Sequence, residues 1–482
     1  MFSRKSAVFV ALLIATSALV ACQPAVAGAR CRTTEMGEDA THVLKCVGGR
    51  WVRQTTKEQV ARALIAIAQA RRAATSTTAP PVMTVPTTAT PTTTAAPAPP
   101  YVSAMATNYR NACALISNGT VKCWGDNSSG QATGGVITVG VVGPTTVAGI
   151  TGATKVAIGY DHGCALVAGG AIKCWGANNH GQLGDGTIFT RTSPVTVVDD
   201  LNHPLAGYTL LAAGASHTCA ADGPVGSNVR CWGLNNLGQA GTARTTDELS
   251  AKSVEFAIPY SYHTSAITSF YNHTCILTGF GGWCWGNNAQ GQLGANVSTA
   301  YETQPNNVSG PSGSATPLAI AVGDYHTCLI NNLGGTVSCF GSGGSGQGAH
   351  GSDLADYNHW GTETTVLAAS AFALNGQTAI TAGSAHTCAE GIGGVVTCWG
   401  FGDRGQMGDG GVSLTPPNPS YANRTPGGAS AFSTVSAGGR FTCFLTPDHV
   451  VRCSGNDSQG ELGRGTTTAT ARDTPLVVNV LP

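Results

Sequence analysis

The residues of this chain whose chemistry could reach beyond scaffolding are its 17 cysteines and 12 histidines. Sixteen cysteines follow Cys22, an even number that in an exported protein favours disulfides over metal-held thiolates. Cys31 and Cys46 stand apart, and the other 14 fall into seven pairs: Cys113 with Cys123, Cys164 with Cys174, Cys219 with Cys231, Cys275 with Cys284, Cys328 with Cys339, Cys388 with Cys398 and Cys443 with Cys453. His162, His217, His273, His326 and His386 each stand two residues before the first cysteine of a pair. A ring of five imidazoles invites a metal reading. Asn111 and Phe441, however, take the same place at the first and last pairs. The expected role is therefore a histidine that serves the repeat, held by backbone groups, and no metal or other cofactor is expected.

The elements that must position these residues are short. With 65 Gly, 6% aromatic and only 10% charged side chains, the composition disfavours helical bundles and points to short strands and tight turns. The first cysteine of each pair recurs with a mean period of 55 residues. Two places after the second cysteine stand Gly125, Gly176, Gly233, Gly286, Gly341, Gly400 and Gly455. Seven places after it stand Gly130, Gly181, Gly238, Gly291, Gly346, Gly405 and Gly460, followed by Gln in six copies and by Glu461 in the last. Cys164 to Cys174 alternates around Gly169-Gly170, so a short loop centred on Gly169 sets the two cysteines opposite each other on paired strands. Each pair is expected to be a cross-strand disulfide within one hairpin, with Trp124, Trp175, Trp232, Trp285 or Trp399 on the opposite face. Closing such a loop contributes about 2 to 3 kcal/mol.

The stretch Gly214-Ala-Ser-His217-Thr-Cys219 and then Cys231-Trp-Gly-Leu-Asn-Asn-Leu-Gly-Gln239 resembles the repeat of the regulator of chromosome condensation family, as does Cys174 to Thr187 in the second copy. The resemblance covers residues 101–482 and implies an all-β, seven-bladed β-propeller with one disulfide per blade. Copy one lacks the segment that precedes the other copies, so the C-terminal strand 474–480 is expected to join the first blade and close the ring.

Function is sought where copies differ. The two residues before each histidine position form a turn on one rim: Tyr109-Arg110, Tyr160-Asp161, Ala215-Ser216, Tyr271-Asn272, Asp324-Tyr325, Ser384-Ala385 and Gly439-Arg440. Tyr with Asp, Arg and Asn is a composition suited to binding surfaces. The longest connection between pairs, from Cys339 to Cys388, adds Asp353, Asp356, Tyr357, His359 and Trp360, a second candidate contact. No nucleophile elbow, Walker loop or HExxH is present, and neither are the Asp-box turns of propeller sialidases, so no enzyme is expected.

The region ahead of the repeats concerns location. Arg4 and Lys5 precede an uncharged run, Ala7 to Ala21, too short to span a bilayer comfortably, so 1–21 reads as an export signal. Leu19-Val20-Ala21-Cys22 resembles the bacterial lipobox, which would lipidate Cys22 and tie the chain to a membrane. Ala25-Val26-Ala27 offers ordinary cleavage instead, which would release the protein. Residues 22–56 are expected to carry the anchor region and a small hairpin closed by Cys31 and Cys46. A short helix over 57–74 and a Thr/Pro-rich spacer over 75–100 follow. Residues 1–74 hold 11 basic and 4 acidic side chains, and 75–482 hold 14 and 21, so a phosphate backbone is a poor ligand for the propeller and nucleic acid is not an expected partner. The resemblance implies nucleotide exchange on a small GTPase with chromatin contact, which the export signal and acidic balance oppose. A secreted or envelope-anchored monomeric propeller that binds another protein is expected. The alternatives are an enzyme inhibitor similar to the propeller-type beta-lactamase inhibitory proteins and a structural or glycan-binding envelope protein.

Overall fold

A computed structural model describes residues 99–482 except 139, 224–227, 257–262, 295–296, 309–316, 333, 349–359, 367–373, 411–431 and 482, together with strand residues 23–24, 36–38, 42–47 and 50–56. Two compact units result, residues 1–96 and 97–482. In the first, strands Gln23–Pro24, Met36–Glu38, His42–Val47 and Arg50–Thr56 form one sheet. Its hairpin runs from His42 to Thr56, and Cys46 stands opposite Trp51 in its register. Cys22, Cys31 and with it the expected bond to Cys46, the 57–74 helix and the 75–98 spacer lie outside the described residues.

The second unit holds seven antiparallel sheets, six of four strands and one, blade six, of three among the described residues. Blade one shows the order of the four-stranded blades: Val102–Thr107, Asn111–Ile116, Val121–Asp126, Val141–Thr146. The second and third strands are the cysteine hairpin. Its two cysteines stand directly opposite each other in every blade, as the spacing predicts. Cys113 is bonded to Cys123, Cys164 to Cys174, Cys219 to Cys231 and Cys275 to Cys284. Cys328 is bonded to Cys339, Cys388 to Cys398 and Cys443 to Cys453, and in all seven disulfides the Cα atoms lie 4.0 to 4.1 Å apart. The first strands of successive blades touch one another around the whole ring, including Thr434–Ala437 of blade seven against Val102–Thr107 of blade one. These strands therefore surround the propeller axis.

Closure differs from expectation. Strand Thr468–Val478 pairs with Val451–Asp457, so it is the outermost strand of blade seven and does not enter blade one. Copy one is complete because Val102–Thr107 supplies its first strand. With every blade continuous in sequence, the ring closes by side chains: Val478, Val480, Leu462 and Phe441 of blade seven pack with Val102, Ala112 and Trp124 of blade one.

The same interlock repeats at each seam. Disulfide and Trp stand on opposite faces of a blade, and the Trp of one blade packs on the disulfide of the blade before it. Trp175 covers Cys113 and Cys123, Trp232 covers Cys164 and Cys174, Trp285 covers Cys219 and Cys231, and Trp399 covers Cys328 and Cys339. Each buried indole N–H has a partner: Trp175 Nε1 donates to Gln131 O and Trp232 Nε1 to Gln182 O, both at 2.9 Å. Blade five replaces Trp by Phe340, which lies on Cys275 and Cys284. Blade seven has Ser454 in that place and covers Cys388 and Cys398 with Phe444 instead, where the other copies carry Ala, Ile or Leu; Phe432 packs 4.9 Å from it. The glutamines after the second glycine also serve the scaffold, since Gln182 Oε1 accepts the His180 N–H and Glu461 does the same for Gln459.

Candidate functional site at the axial mouth

The turn joining the first and second strands of each blade lies beside the axis, and the signature glycines fix it there. Gly176 has φ +104°, and a Cβ on it would stand 2.5 Å from Asp161 O. Gly286 would meet Asn272 O at the same distance and Gly341 would meet Tyr325 O at 2.4 Å. Only glycine fits under these carbonyls, which accept N–H groups from Ala177, Asn287 and Ser342 at 2.7 to 2.9 Å. The turns then bond to one another between blades: Tyr160 N–H to Ala215 O, Ala215 N–H to Tyr271 O, Asp324 N–H to Ser384 O and Gly439 N–H to Asn108 O.

On this frame the four rim tyrosines meet. Tyr109 and Tyr160 lie 4.8 Å apart between ring centroids, and Tyr271 and Tyr325 lie 5.5 Å apart edge to face. Tyr109 of blade one reaches the same apolar cluster as Tyr271 of blade four, so the two pairs share one end of the axis. Tyr271 holds φ +41°, a costly conformation for a non-glycine residue. Arg110 lies over the Tyr160 ring at 4.7 Å and 3.9 Å from Asp126. Arg440 reaches Asp403 at 3.3 Å and Phe401 at 5.7 Å. Asn272 Oδ1 is buried without a partner.

Two carboxyls of the mouth hold a proton more tightly than an ordinary aspartate. Burial, reinforced by the Asp126 charge and opposed by Arg110, lifts Asp161 to about 6. Burial lifts Asp324 to about 6 against the opposing Ser384 hydrogen bond and Arg440 charge. Burial and the neighbouring Tyr271 push Tyr325 up to about 12.

The histidines do not reach the mouth as ligands. Each bonds the next blade: His162 Nε2 to Thr218 Oγ1 (2.8 Å), His217 to Thr274 (2.8 Å), His273 to Thr327 (3.0 Å), His326 to Thr387 (2.8 Å) and His386 to Thr442 (2.9 Å). The expected backbone partner is thus a threonine side chain. Thr218, Thr327 and Thr442 donate onward to Gln182, Gln292 and Gln406 carbonyls, so the imidazole must give the Nε2 proton. Nδ1 is left buried and unpartnered in all five. No group of three His, Cys, Asp or Glu side chains able to hold a metal occurs among the described residues.

Sequence reasoning placed the tyrosines and Ser384 on one rim but missed Asp126, Phe401 and Asp403, which hold its arginines. Their signal is faint, because Asp126 ends a strand and Phe401 and Asp403 lie in a loop, all outside the register of the rim turns. Asp353, Asp356, Tyr357 and His359 lie outside the described residues, and only the backbone of Trp360 is placed, opposite Gly341.

Patterns of the regulator of chromosome condensation (RCC1) repeat match residues 102–131, 153–182, 170–221 and 283–330. The chain is 34% identical to the human probable E3 ubiquitin-protein ligase HERC4 over 195 residues, 40% of this chain and only 18% of that protein. It is 27% identical to the ultraviolet-B receptor UVR8 of Arabidopsis thaliana over 393 residues, 80% of this chain and 83% of the receptor. Among solved structures, yeast RCC1 (Prp20) in its complex with Kap60 overlays with a TM-score of 0.62 at 18% identity, covering 79% of this chain and 85% of that one. Human WBSCR16 overlays at 0.61 and 17% identity, covering 75% and 94%. With the sheets, seams and mouth in place, these likenesses agree with the repeat read along the chain: it carries RCC1-type repeats folded into a seven-bladed, disulfide-stapled β-propeller.

Proposed function

We propose that the propeller is a non-catalytic protein-binding module whose partner sits on the tyrosine-lined mouth. The observation that carries the reading is the convergence of Tyr109, Tyr160, Tyr271 and Tyr325 from four blades on one end of the axis. Large rings held by a rigid frame lose little conformational freedom on binding. Solved relatives of this fold support the class: yeast Prp20 is described bound to Kap60 and as binding Gsp1p and histones. The exported location rests on Arg4, Lys5 and the Ala7 to Ala21 run, and Cys22 as a lipid anchor on Leu19-Val20-Ala21-Cys22, with cleavage after Ala27 as the secreted alternative. Within that reading, Asp353, Asp356, Tyr357, His359 and Trp360 extend the contact surface.

The test is affinity capture by the full chain from envelope and culture proteins, beside a variant with Tyr160, Tyr271 and Tyr325 changed to Ala. The variant should keep its near-ultraviolet signature from the buried tryptophans while its affinity drops at least tenfold, as loss of central aromatic anchors does. A captured protein held equally by both forms would move the site off the mouth. Recovery of polysaccharide instead would favour a glycan-binding role, and a captured enzyme that loses activity would favour inhibition.

A further inference from the structure

The mouth holds a buried charge with an idle oxygen. Asp324 is 7% exposed; its Oδ2 accepts the Ser384 hydroxyl, while its Oδ1 is buried with no partner. Asp324 occupies the turn position taken by Tyr109, Tyr160 and Tyr271 in other blades, and both its backbone N–H and its side chain bond the Ser384 turn of the next blade on the same rim. Its charge is felt by Tyr325 and by Arg440, but Arg440 directs its own hydrogen bond to Asp403. A buried carboxylate oxygen without a donor is costly and signals a missing positive group. The rings around it are unoccupied platforms for one. Among the described residues cations stand over Tyr160, Phe189 and Phe401, and none stands over Tyr109, Tyr271 or Tyr325. Arg110 on Tyr160 shows on the same rim how a guanidinium sits on such a face.

We propose that the mouth receives an arginine side chain of the partner protein, its guanidinium paired with Asp324 Oδ1 and stacked against Tyr271 and Tyr325. This deepens the reading of the mouth as a protein-binding site and rests on it. Arginine fits better than lysine because a planar guanidinium can lie on a ring and still direct N–H groups at a carboxylate in its plane.

The probe is N-acetyl-arginine amide titrated into the full chain by calorimetry, with N-acetyl-citrulline amide as its neutral isostere. Arginine should bind with a Kd of about 1 to 10 mM, and citrulline at least tenfold more weakly, a difference of about 1.4 kcal/mol. Asp324→Asn retains an acceptor for Ser384 and should erase the preference, whereas Arg440→Ala, which removes a competing cation, should tighten arginine binding. Equal binding of the two probes, absence of binding by ~50 mM, or an undiminished preference in Asp324→Asn would overturn the proposal. A captured partner that needs the tyrosines yet binds Asp324→Asn as tightly as the parent overturns this inference alone and leaves the rim reading standing.

Discussion

Lowering the pH from 6.5 to 4.5 should cut the Tm of the propeller by about 10 °C. Burial holds His162, His217, His273 and His386 at about 3 and His326 at about 4 in the folded protein, whereas free imidazoles in an unfolded chain titrate near ~6.5. Between those values the unfolded chain binds more protons, so acid favours unfolding by roughly 1.4 kcal/mol per pH unit for each histidine. Asp161 and Asp324 act the other way. Raised to about 6, they take up protons in the folded state above the ordinary aspartate range, and offset two of the five. The net of roughly three protons gives about 4 kcal/mol per pH unit, which over two units corresponds to about 10 °C for a domain of this size. Scanning calorimetry at several pH values measures it directly.

A graft isolates the cause. At the seam of blades seven and one the chain uses Phe441 and Ala112 in place of His and Thr, with the Phe441 ring tight over Gly438 as the His386 ring is over Gly383. Installing that pair as His386→Phe with Thr442→Ala should remove one proton from the balance, about a third of the pH slope. An unchanged slope would remove the histidines as its origin. Because the seams on both sides of blade one lack the His–Thr pair, hydrogen exchange at pH 4.5 should first lose protection between blades two and seven and retain it around blade one.

What the sequence made legible was everything local to one repeat. Cysteine spacing set the register of seven hairpins, so that Cys123, Cys284 and Cys398 each face the partner their spacing assigned despite loops of different length. Strand alternation put Trp175 and Cys174 on opposite faces, also as observed. Contacts between repeats were less accessible, since periodicity shows that His217 and Thr218 recur without showing that His162 of one blade meets Thr218 of the next. The mouth was half visible for the same reason. Four tyrosines at equivalent turns predict a common rim, but that Tyr109 shares an apolar cluster with Tyr271 three blades on depends on ring geometry. The error over closure has a specific origin. Val102–Thr107 reads Val-Ser-Ala-Met-Ala-Thr, too short and too polar to stand out after a Thr/Pro-rich spacer, so copy one looked incomplete.

That error sharpens the prediction for the C-terminus. Ending the chain at Asp473 removes Leu476, Val477 and Val478, which pair with Cys453, Arg452 and Val451, and also Val480. If this strand only shielded an outer edge, the damage would stop at Val451–Asp457. Val478 and Val480, however, are each 3% exposed, within one cluster with Trp124, Val102 and Ala112 of blade one. Losing two buried valines costs about 3 to 6 kcal/mol in burial alone. The indole of Trp124, whose Nε1 donates to Glu461 O at 2.9 Å, is uncovered as well. No shared strand holds blade seven to blade one, so side-chain packing carries most of that seam and its loss opens the ring. The truncated chain should therefore lose exchange protection in Val102–Thr107 and Thr434–Ala437 together with Val451–Asp457, and should melt well below the parent at equal pH. Protection lost from Val451–Asp457 alone would show that the ring is held shut elsewhere.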